Sequence, residues 1–479
     1  MRSLLILLLI ASFLQSPCQE DNKQSIQHSK RTLTYSYVDS LSYQQFLDED
    51  YNEVIKTCRQ ALKAGIDFYY LRTRLSIAYY ESRKYASALK HFLYAYKMNP
   101  SDLVLKEYLY YSLIFSLRRD AAYILAETFP ESLKDKLNQN TKYPLPNTRS
   151  SAKFEAISFS GGYIFSDNSK KSDKNRSFAG DALYAENTLQ GNTSFADLYL
   201  KNSFGNRLKM YNNIGFFNVR SFGLIQHSKD TLTRNYSNNN INYTLGFDYN
   251  LLNIFPLRRS VSATHYPLPA TIRHFSLDCG LWFMLLSERS NYFSSMFNDS
   301  AYTYFNNPHK YKAKAAGLSF IVRYLKAGLG FSIAVGSLSA VKQKQAQLDL
   351  SFYPFGNTGF YSNSGIALID NDNKIQTVIL QSFSGKINNI MRYEIKGSFG
   401  NHQNYIVQDA IFAYNTVEPV YITAEANLSI RFNNFTFIPG YSYQQRESKY
   451  IKFNQTKEII TIKNKYNNHL IKFTVLWNI

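Results

Sequence analysis

From residue 150 onward the chain alternates apolar and polar side chains, segment after segment, with no apolar run of helical membrane-span length. Ile241, Tyr243, Leu245, Phe247 and Tyr249 oppose Asn240, Asn242, Thr244, Gly246, Asp248 and Asn250. Leu329, Phe331, Ile333 and Val335 oppose Gly328, Gly330, Ser332 and Ala334, and Ala346, Leu348, Leu350 and Phe352 oppose Gln345, Gln347, Asp349 and Ser351. The same holds for Met391, Tyr393 and Ile395 against Arg392, Glu394 and Lys396, and for Ile422, Ala424, Ala426, Leu428 and Ile430 against Thr423, Glu425, Asn427, Ser429 and Arg431. Successive strand side chains point to opposite faces, so each segment has one face for an apolar medium and one for water. Inside a bilayer only helices and closed barrels satisfy every backbone N–H and C=O. A chain without a helical span therefore enters a membrane as a closed barrel or not at all. A soluble sandwich also alternates; the recurrence of segments of about 10 residues, apolar out and polar in, points to a transmembrane barrel.

Composition agrees. Tyr (39) and Phe (35) are abundant while Trp is 2, charged residues are 19%, and mean hydropathy is only −0.32, as expected when apolar residues alternate with polar ones. At the N-terminus, Met1-Arg2, an apolar run from Leu4 to Leu14 and the small residues before Cys18 read as a secretory signal over residues 1–18, followed by a linker over 19–34. Cys18 also admits lipidation, although Pro17 fits that processing poorly. Cys58 and Cys279 fall in different domains and read as apolar fillers, with neither a disulfide framework nor a metal site. The net charge is +19, and most of the excess lies after residue 150, with 34 Lys and Arg against 20 Asp and Glu. With an export signal, the expected acidic neighbours are lipopolysaccharide phosphates or anionic polysaccharide, not nucleic acid, and the expected surroundings are outer-membrane lipid and lipopolysaccharide.

The strand pattern predicts an antiparallel transmembrane β-barrel over 150–479 with about 14 strands; 12 and 16 also fit. Strands are expected near 153–165, 190–202, 206–221, 239–251, 270–285, 311–323, 326–338, 343–353, 357–368, 374–384, 388–400, 420–432, 435–446 and 467–479. The connections 166–189, 222–238, 286–310, 339–342, 369–373, 401–419 and 447–466 then share one side and are mostly long and polar. Those on the other side are mostly tight. This asymmetry sets long loops outside and both chain ends in the periplasm. Two stretches strain the scheme: 252–269, long for a turn, and 404–414, strand-like within a supposed loop. The last segment sets Phe473, Val475, Trp477 and Ile479 against Lys472 and Thr474. It resembles the terminal strand by which outer-membrane proteins are recognised for insertion, except that Asn478-Ile479 follows the aromatic.

Residues 35–140 have a different period. Positions match at a spacing of 34: Leu41 with Leu75, Tyr51 with Tyr85, Val54 with Ala88, Cys58 with Phe92 and Ala61 with Ala95. The second unit, with Leu75, Ala78, Tyr79, Tyr85, Ala88, Phe92, Ala95 and Pro100, resembles a tetratricopeptide repeat, a pair of antiparallel helices. The resemblance implies that Ala88 and Ala95 let the helices approach, that Tyr79 and Phe92 fill the gap, and that Pro100 ends the second helix. The first unit has Ile66 in place of the proline, and the third is degenerate. Such a domain either docks a protein or polymer partner or serves as a spacer against the barrel.

The lumen-lining candidates are Asp248, Asp349, Arg392, Glu394, Lys396, Glu425, Arg431 and Lys472, with Asp197 and Lys201 besides. Mixed charge either braces the wall or forms a constriction, and Gly328, Gly330 and Gly336 leave room for a loop or a passing chain. No nucleophile elbow, zinc helix or phosphate loop occurs, and His309, His402 and His469 stand alone, so no catalytic residue, metal or cofactor is expected. His274, Ser276 and Asp278 share a strand face as any polar face would. Asp230-Thr231-Leu232 and Asp299-Ser300-Ala301 are similar to the Asp-Ser/Thr-apolar acceptor of Bacteroidota O-glycosylation.

A short helical-repeat block before such a barrel is similar to the YaiO-like barrel proteins and, more distantly, to exopolysaccharide-export porins. The resemblance implies transport or export across the outer membrane with a periplasmic or outer-membrane protein partner held by the repeats. The alternatives are a non-conducting structural subunit of a larger complex and an outer-membrane hydrolase.

Overall fold

The computed structural model describes residues 33–116, 118–139, 145, 152–170, 182–205, 207–227, 230–253, 275–298, 301–324, 326–338, 341–356, 358–407, 413, 418–454 and 459–479. The expected leader over 1–18 with Cys18, most of the linker, His274 and nearly all of 252–269 lie outside the described residues.

Among the described residues seven helices precede the barrel: α1 (Tyr35–Leu47), α2 (Tyr51–Lys63), α3 (Tyr69–Glu81), α4 (Tyr85–Met98), α5 (Leu103–Phe115), α6 (Arg119–Ala126) and α7 (Glu131–Asn138). The starts of α1, α3 and α5, and likewise of α2, α4 and α6, are 34 residues apart. Local chemistry sets the ends. Asp50 accepts from Glu53 N, and Asp102 accepts from Val104 N at 2.8 Å and Leu105 N at 3.1 Å, capping free amides. α2 stops in a left-handed turn at Gly65 (φ 84°), where Gly65 N bonds Leu62 O and Ile66 N bonds Ala61 O. Ile66 therefore stands where a proline was absent because it packs back on the core as the residue after a glycine stop. Val38, Val54, Cys58, Ala61, Leu71, Leu75 and Ala78 are buried in one cluster, and Ala88, Phe92, Ala95 and Leu109 in the next. Tyr79 packs against both, Tyr85 lies on Phe115, and Pro100 sits in the turn after α4. Burial pushes the Cys58 thiol up to about 12, so it behaves as an inert filler.

The barrel has fourteen antiparallel strands: β1 (Lys153–Ser166), β2 (Ala182–Phe204), β3 (Leu208–His227), β4 (Asp230–Asn253), β5 (Phe275–Asn298), β6 (Ala301–Tyr324), β7 (Ala327–Leu338), β8 (Val341–Phe352), β9 (Phe360–Asn371), β10 (Lys374–Lys386), β11 (Met391–Gly400), β12 (Val420–Phe432), β13 (Phe435–Asn454) and β14 (Ile459–Asn478). A short helix, α8 (Asp167–Lys170), follows β1. Each strand pairs with its sequence neighbours, and β1 closes on β14 with Ile157 opposite Trp477 and Phe159 opposite Val475. The outward face is apolar: Leu329, Phe331, Ile333, Val335, Leu348, Leu350, Phe473 and Trp477 are all exposed. The alternate residues Gln343, Gln345, Gln347 and Asp349 are buried inside. Exposed apolar residues outside and buried polar ones inside invert a soluble fold and define a membrane-spanning barrel of the outer-membrane type.

Three expected loops are instead hairpin. Residues 222–238, 286–310 and 447–466 lie mostly in β3–β4, β5–β6 and β13–β14, and 182–189 belong to β2. Polarity ends the lipid band but not the pairing, since a hairpin satisfies its backbone hydrogen bonds whether its side chains meet lipid or water. The 12-residue β7 and β8 rise about 30 Å at ordinary tilt, close to the apolar band. The 24-residue β5 and β6 rise about 60 Å, so their hairpin projects well beyond it. Asp230-Thr231-Leu232 lies in β4, while Asp299 and Ser300 are outside the described residues. The helical domain lies at the tight-turn end, where a Cβ on Gly356, between β8 and β9, would fall 2.0 Å from Ala86 Cβ.

Candidate functional site

The inner wall from β11 to β14 carries a polar relay. Lys472 Nζ bonds Glu425 Oε1 at 2.6 Å, Asn427 Nδ2 bonds that oxygen at 2.6 Å and Glu394 Oε2 at 3.2 Å, and Lys396 Nζ meets Glu394 Oε2 at 3.0 Å. Lys472 is on β14 and Glu425 on β12, with β13 between. The register explains the reach: Lys472 pairs with Gly440, and Gly440 with Asn427. A Cβ on Gly440 would fall 2.8 Å from Lys472 Cε and 2.3 Å from Asn427 Oδ1. Only a bare backbone there lets the lysine cross the strand.

The chain after β11 turns into the barrel instead of out of it. Gly400 has φ 125°, and a Cβ there would lie 2.0 Å from Thr377 O, so the inward turn requires glycine. Residues 401–407 then bind the inner wall. Gln345 Nε2 donates to Ile406 O at 2.8 Å, and Ile406 N donates to Gln345 Oε1 at 3.0 Å. Tyr405 OH donates to Gln347 Oε1 at 2.9 Å, and Asn371 Nδ2 donates to Gln403 O at 3.1 Å. At about 1 kcal/mol net per hydrogen bond, four such bonds hold the segment firmly once it is buried. Ile406 also joins a dry cluster with Trp282, Met284, Leu286, Tyr211, Ala334 and Leu338, inward-facing residues of β3, β5 and β7. Trp282 and Tyr211 lie over glycines of the neighbouring strands, Gly317 and Gly246, with which they pair.

His402, expected to stand alone, is fully buried. Val420 O only accepts, so His402 Nδ1 donates to it (2.7 Å), leaving Nε2 to accept from Ser398 Oγ (2.6 Å). Ser398 Oγ in turn lies 2.5 Å from Thr423 Oγ1. Burial holds the imidazole below its ordinary pKa, in the neutral form this pattern needs. The serine–histidine contact has catalytic reach, but the ring is sealed from solvent and oriented by a carbonyl. It fastens the start of the inserted segment to β11 and β12. At its far end Glu418 accepts from Tyr466 OH, and burial pushes its carboxyl up to about 7.

Beside the segment the lumen holds a cavity of about 490 Å³. Its wall comes from β1–β3 and β8–β14, with Tyr405 and Val407 as the inserted side. Phe195 and Phe217 stack at 5.8 Å, Ile164, Leu380 and Leu470 add apolar surface, and Asp197, Asp349, Lys396, Glu425 and Lys472 add charge. Four of the eight sequence candidates thus meet at the cavity: Asp349, Lys396, Glu425 and Lys472. Glu394 backs Lys396. The others lie toward the tight-turn end: Asp248 pairs in register with Lys209, Arg392 bonds Thr358 Oγ1 and O, and Arg431 Nε bonds Asn433 O. Lys201 pairs with Glu155 at 3.5 Å, and Asp278 is bound by Arg323 and Asn250. Gly336 leaves no room, since a Cβ there would meet Lys314 O at 2.6 Å, whereas Gly330 and Gly365 flank Asp349. Sequence reading missed Phe195, Phe217 and the Gln345–Gln347 ladder. Leu281-Trp282-Phe283-Met284-Leu285-Leu286 could have signalled a covered inner face, because a strand apolar on both faces is wetted on neither.

No family model matches the sequence, and no curated protein matches it. Among solved structures, a Pseudomonas aeruginosa FadL homologue is similar at 8% identity and a TM-score of 0.39, over 68% of this chain and 90% of that one. The Pseudomonas putida toluene transporter TodX is similar at 9% identity and 0.37, over 68% and 90%. The translocator domain of the autotransporter NalP from Neisseria meningitidis is similar at 8% identity and 0.28, over 77% and 99%.

Proposed function

We propose that this chain is a bacterial outer-membrane barrel that passes small solutes through a lumen narrowed by its own inserted loop. Its helical hairpins stand in the periplasm as tetratricopeptide-like repeats that dock a protein partner. The single observation behind the transport reading is the cavity of about 490 Å³ enclosed by the barrel wall and residues 405–407. It sits within the membrane-depth part of the wall, where a lumen lined by both apolar and charged side chains serves passage. The orientation rests on the tight turns at the helical end and the long hairpins at the other. The partner reading rests on the 34-residue spacing of the helix starts and on the exposed aromatic side chains Tyr35, Tyr43 and Tyr70. Lipid and lipopolysaccharide cover the outside, and no enzymatic step is part of the proposal.

Purified protein in planar bilayers tests it: stepwise openings of small conductance are expected. A barrel that stays silent, both as the native chain and with its inserted segment released by Gln345→Ala, is not a channel. A second reading, a non-conducting subunit of a larger assembly, draws on the dry cluster that seals the β5–β7 side of the lumen. Silence in bilayers together with a stoichiometric partner after gentle detergent extraction would establish it.

A further inference from the structure

The cavity wall carries a charge balance opposite in sign to the chain as a whole. The protein has a net charge of +19, which by itself favours anions. Yet both lysines at the cavity are already neutralised, Lys396 by Glu394 at 3.0 Å and Lys472 by Glu425 at 2.6 Å. The two remaining charged groups are carboxylates: among the described residues neither Asp197 nor Asp349 forms a salt bridge, although Asp197 is bonded by Ser160 and feels the Lys472 charge. Asp349 is only 7% exposed. It accepts from Gln347 Nε2 at 2.8 Å and from Asn363, which leaves acceptor capacity on an ionised carboxylate. Gly330 and Gly365 stand directly opposite it on the two flanking strands, and its Oδ1 lies over Gly365, where a Cβ would fall 2.4 Å away.

A second observation points the same way. Asn427 is buried below Glu425 on the same face, and its Nδ2 donates to Glu425 and Glu394, carboxylates that only accept. The amide orientation is thereby settled, and its Oδ1 is left without a donor among the described residues. The wall thus has an acceptor in excess of donors at Asn427, behind the cavity lining, and the cavity itself holds the stacked Phe195 and Phe217 rings, whose faces attract cations.

We propose that the cavity takes a solute joining an apolar or aromatic body to a positively charged amine, with Asp349 and Asp197 receiving the charge and Phe195 and Phe217 the body. The proposal rests on the transport reading for its purpose but not for its test. Benzyltrimethylammonium and benzenesulfonate, of similar size and opposite charge, are titrated calorimetrically into the full chain in detergent micelles. The cation is expected to bind, Asp349→Asn to weaken it at least tenfold, Asp197→Asn to weaken it less, and the anion to give no heat of binding. Both variants are near-isosteric, and heat-modifiable migration on electrophoresis verifies that each is folded. In bilayers under a KCl gradient, the reversal potential is expected to show cation preference, reduced in either variant. Equal or tighter binding of benzenesulfonate, no loss in Asp349→Asn, or anion preference in the reversal potential would overturn the assignment. Cation binding without any conductance would keep the site and sink the channel.

Discussion

Replacing Gln345 with alanine isolates the contact that holds the inserted segment in place. Gln345 is 7% exposed and Ile406 1%. The amide makes two hydrogen bonds to the Ile406 backbone, 2.8 Å to its carbonyl and 3.0 Å from its N–H. Gln345→Ala removes both and leaves a buried donor and a buried acceptor without partners. At about 1–3 kcal/mol for each orphaned group, the inserted state loses roughly 2–6 kcal/mol relative to a released one. With a factor of ten per 1.4 kcal/mol, the released population rises about 30-fold at the low end. Two measurements read this. Single-channel recording is expected to show frequent larger openings, and hydrogen exchange at residues 402–407 is expected to accelerate by the same order. Gln343→Ala is the control, since among the described residues Gln343 Nε2 bonds Gln345 Oε1, at 3.3 Å, and none of residues 401–407. If Gln345→Ala leaves exchange at 402–407 and the openings unchanged, the segment is held by its apolar contacts and the hydrogen-bond reasoning is wrong.

Gly400→Ala is expected to block the inward turn, because its Cβ would meet Thr377 O at 2.0 Å; large openings like those of Gln345→Ala would check it, and native currents would contradict it. Gly440→Ala should break the Lys472–Glu425 pair by pushing Lys472 aside, costing about 1–3 kcal/mol, seen as a lower urea midpoint by tryptophan fluorescence. Arg83 closes α3 with φ 57°, and its neighbour Lys84 N bonds Tyr79 O. Arg83→Gly is therefore expected to stabilise the helical domain by about 1 kcal/mol, read as slower hydrogen exchange in α3 and α4. His91 accepts from Arg72 at 2.8 Å, and burial, with Arg72 beside it, holds its pKa down to about 3. The folded state thus binds fewer protons than the unfolded chain. Stability is full above pH 6.5 and falls as pH drops toward 3; exchange in α3 and α4 should quicken over that window, and His91→Gln should remove most of the dependence.

How much was legible follows from range. Alternation is a property of adjacent residues, so the faces of β8, β12 and β14, and with them Asp349, Glu425 and Lys472, followed from the chain alone. So did the 34-residue period and the buried set Leu75, Ala78, Ala88, Phe92 and Ala95, because a helix face repeats within a few residues. Strand ends were misplaced where hairpins run past the lipid, since hydropathy records the solvent and not the pairing. The fate of residues 401–407 depended on partners far along the chain: Gln345 and Gln347 on β8, Asn371 on β9, and Trp282 on β5. The stretch 404–414 looked like a strand, and among its described residues it forms one bridge, Ile406 to Ala413. The sequence by itself determined that these strands must close around a polar interior. Closure alone decided which part of that interior is filled by the chain and which stays open, because only a closed wall brings β5, β8 and β11 around the same space.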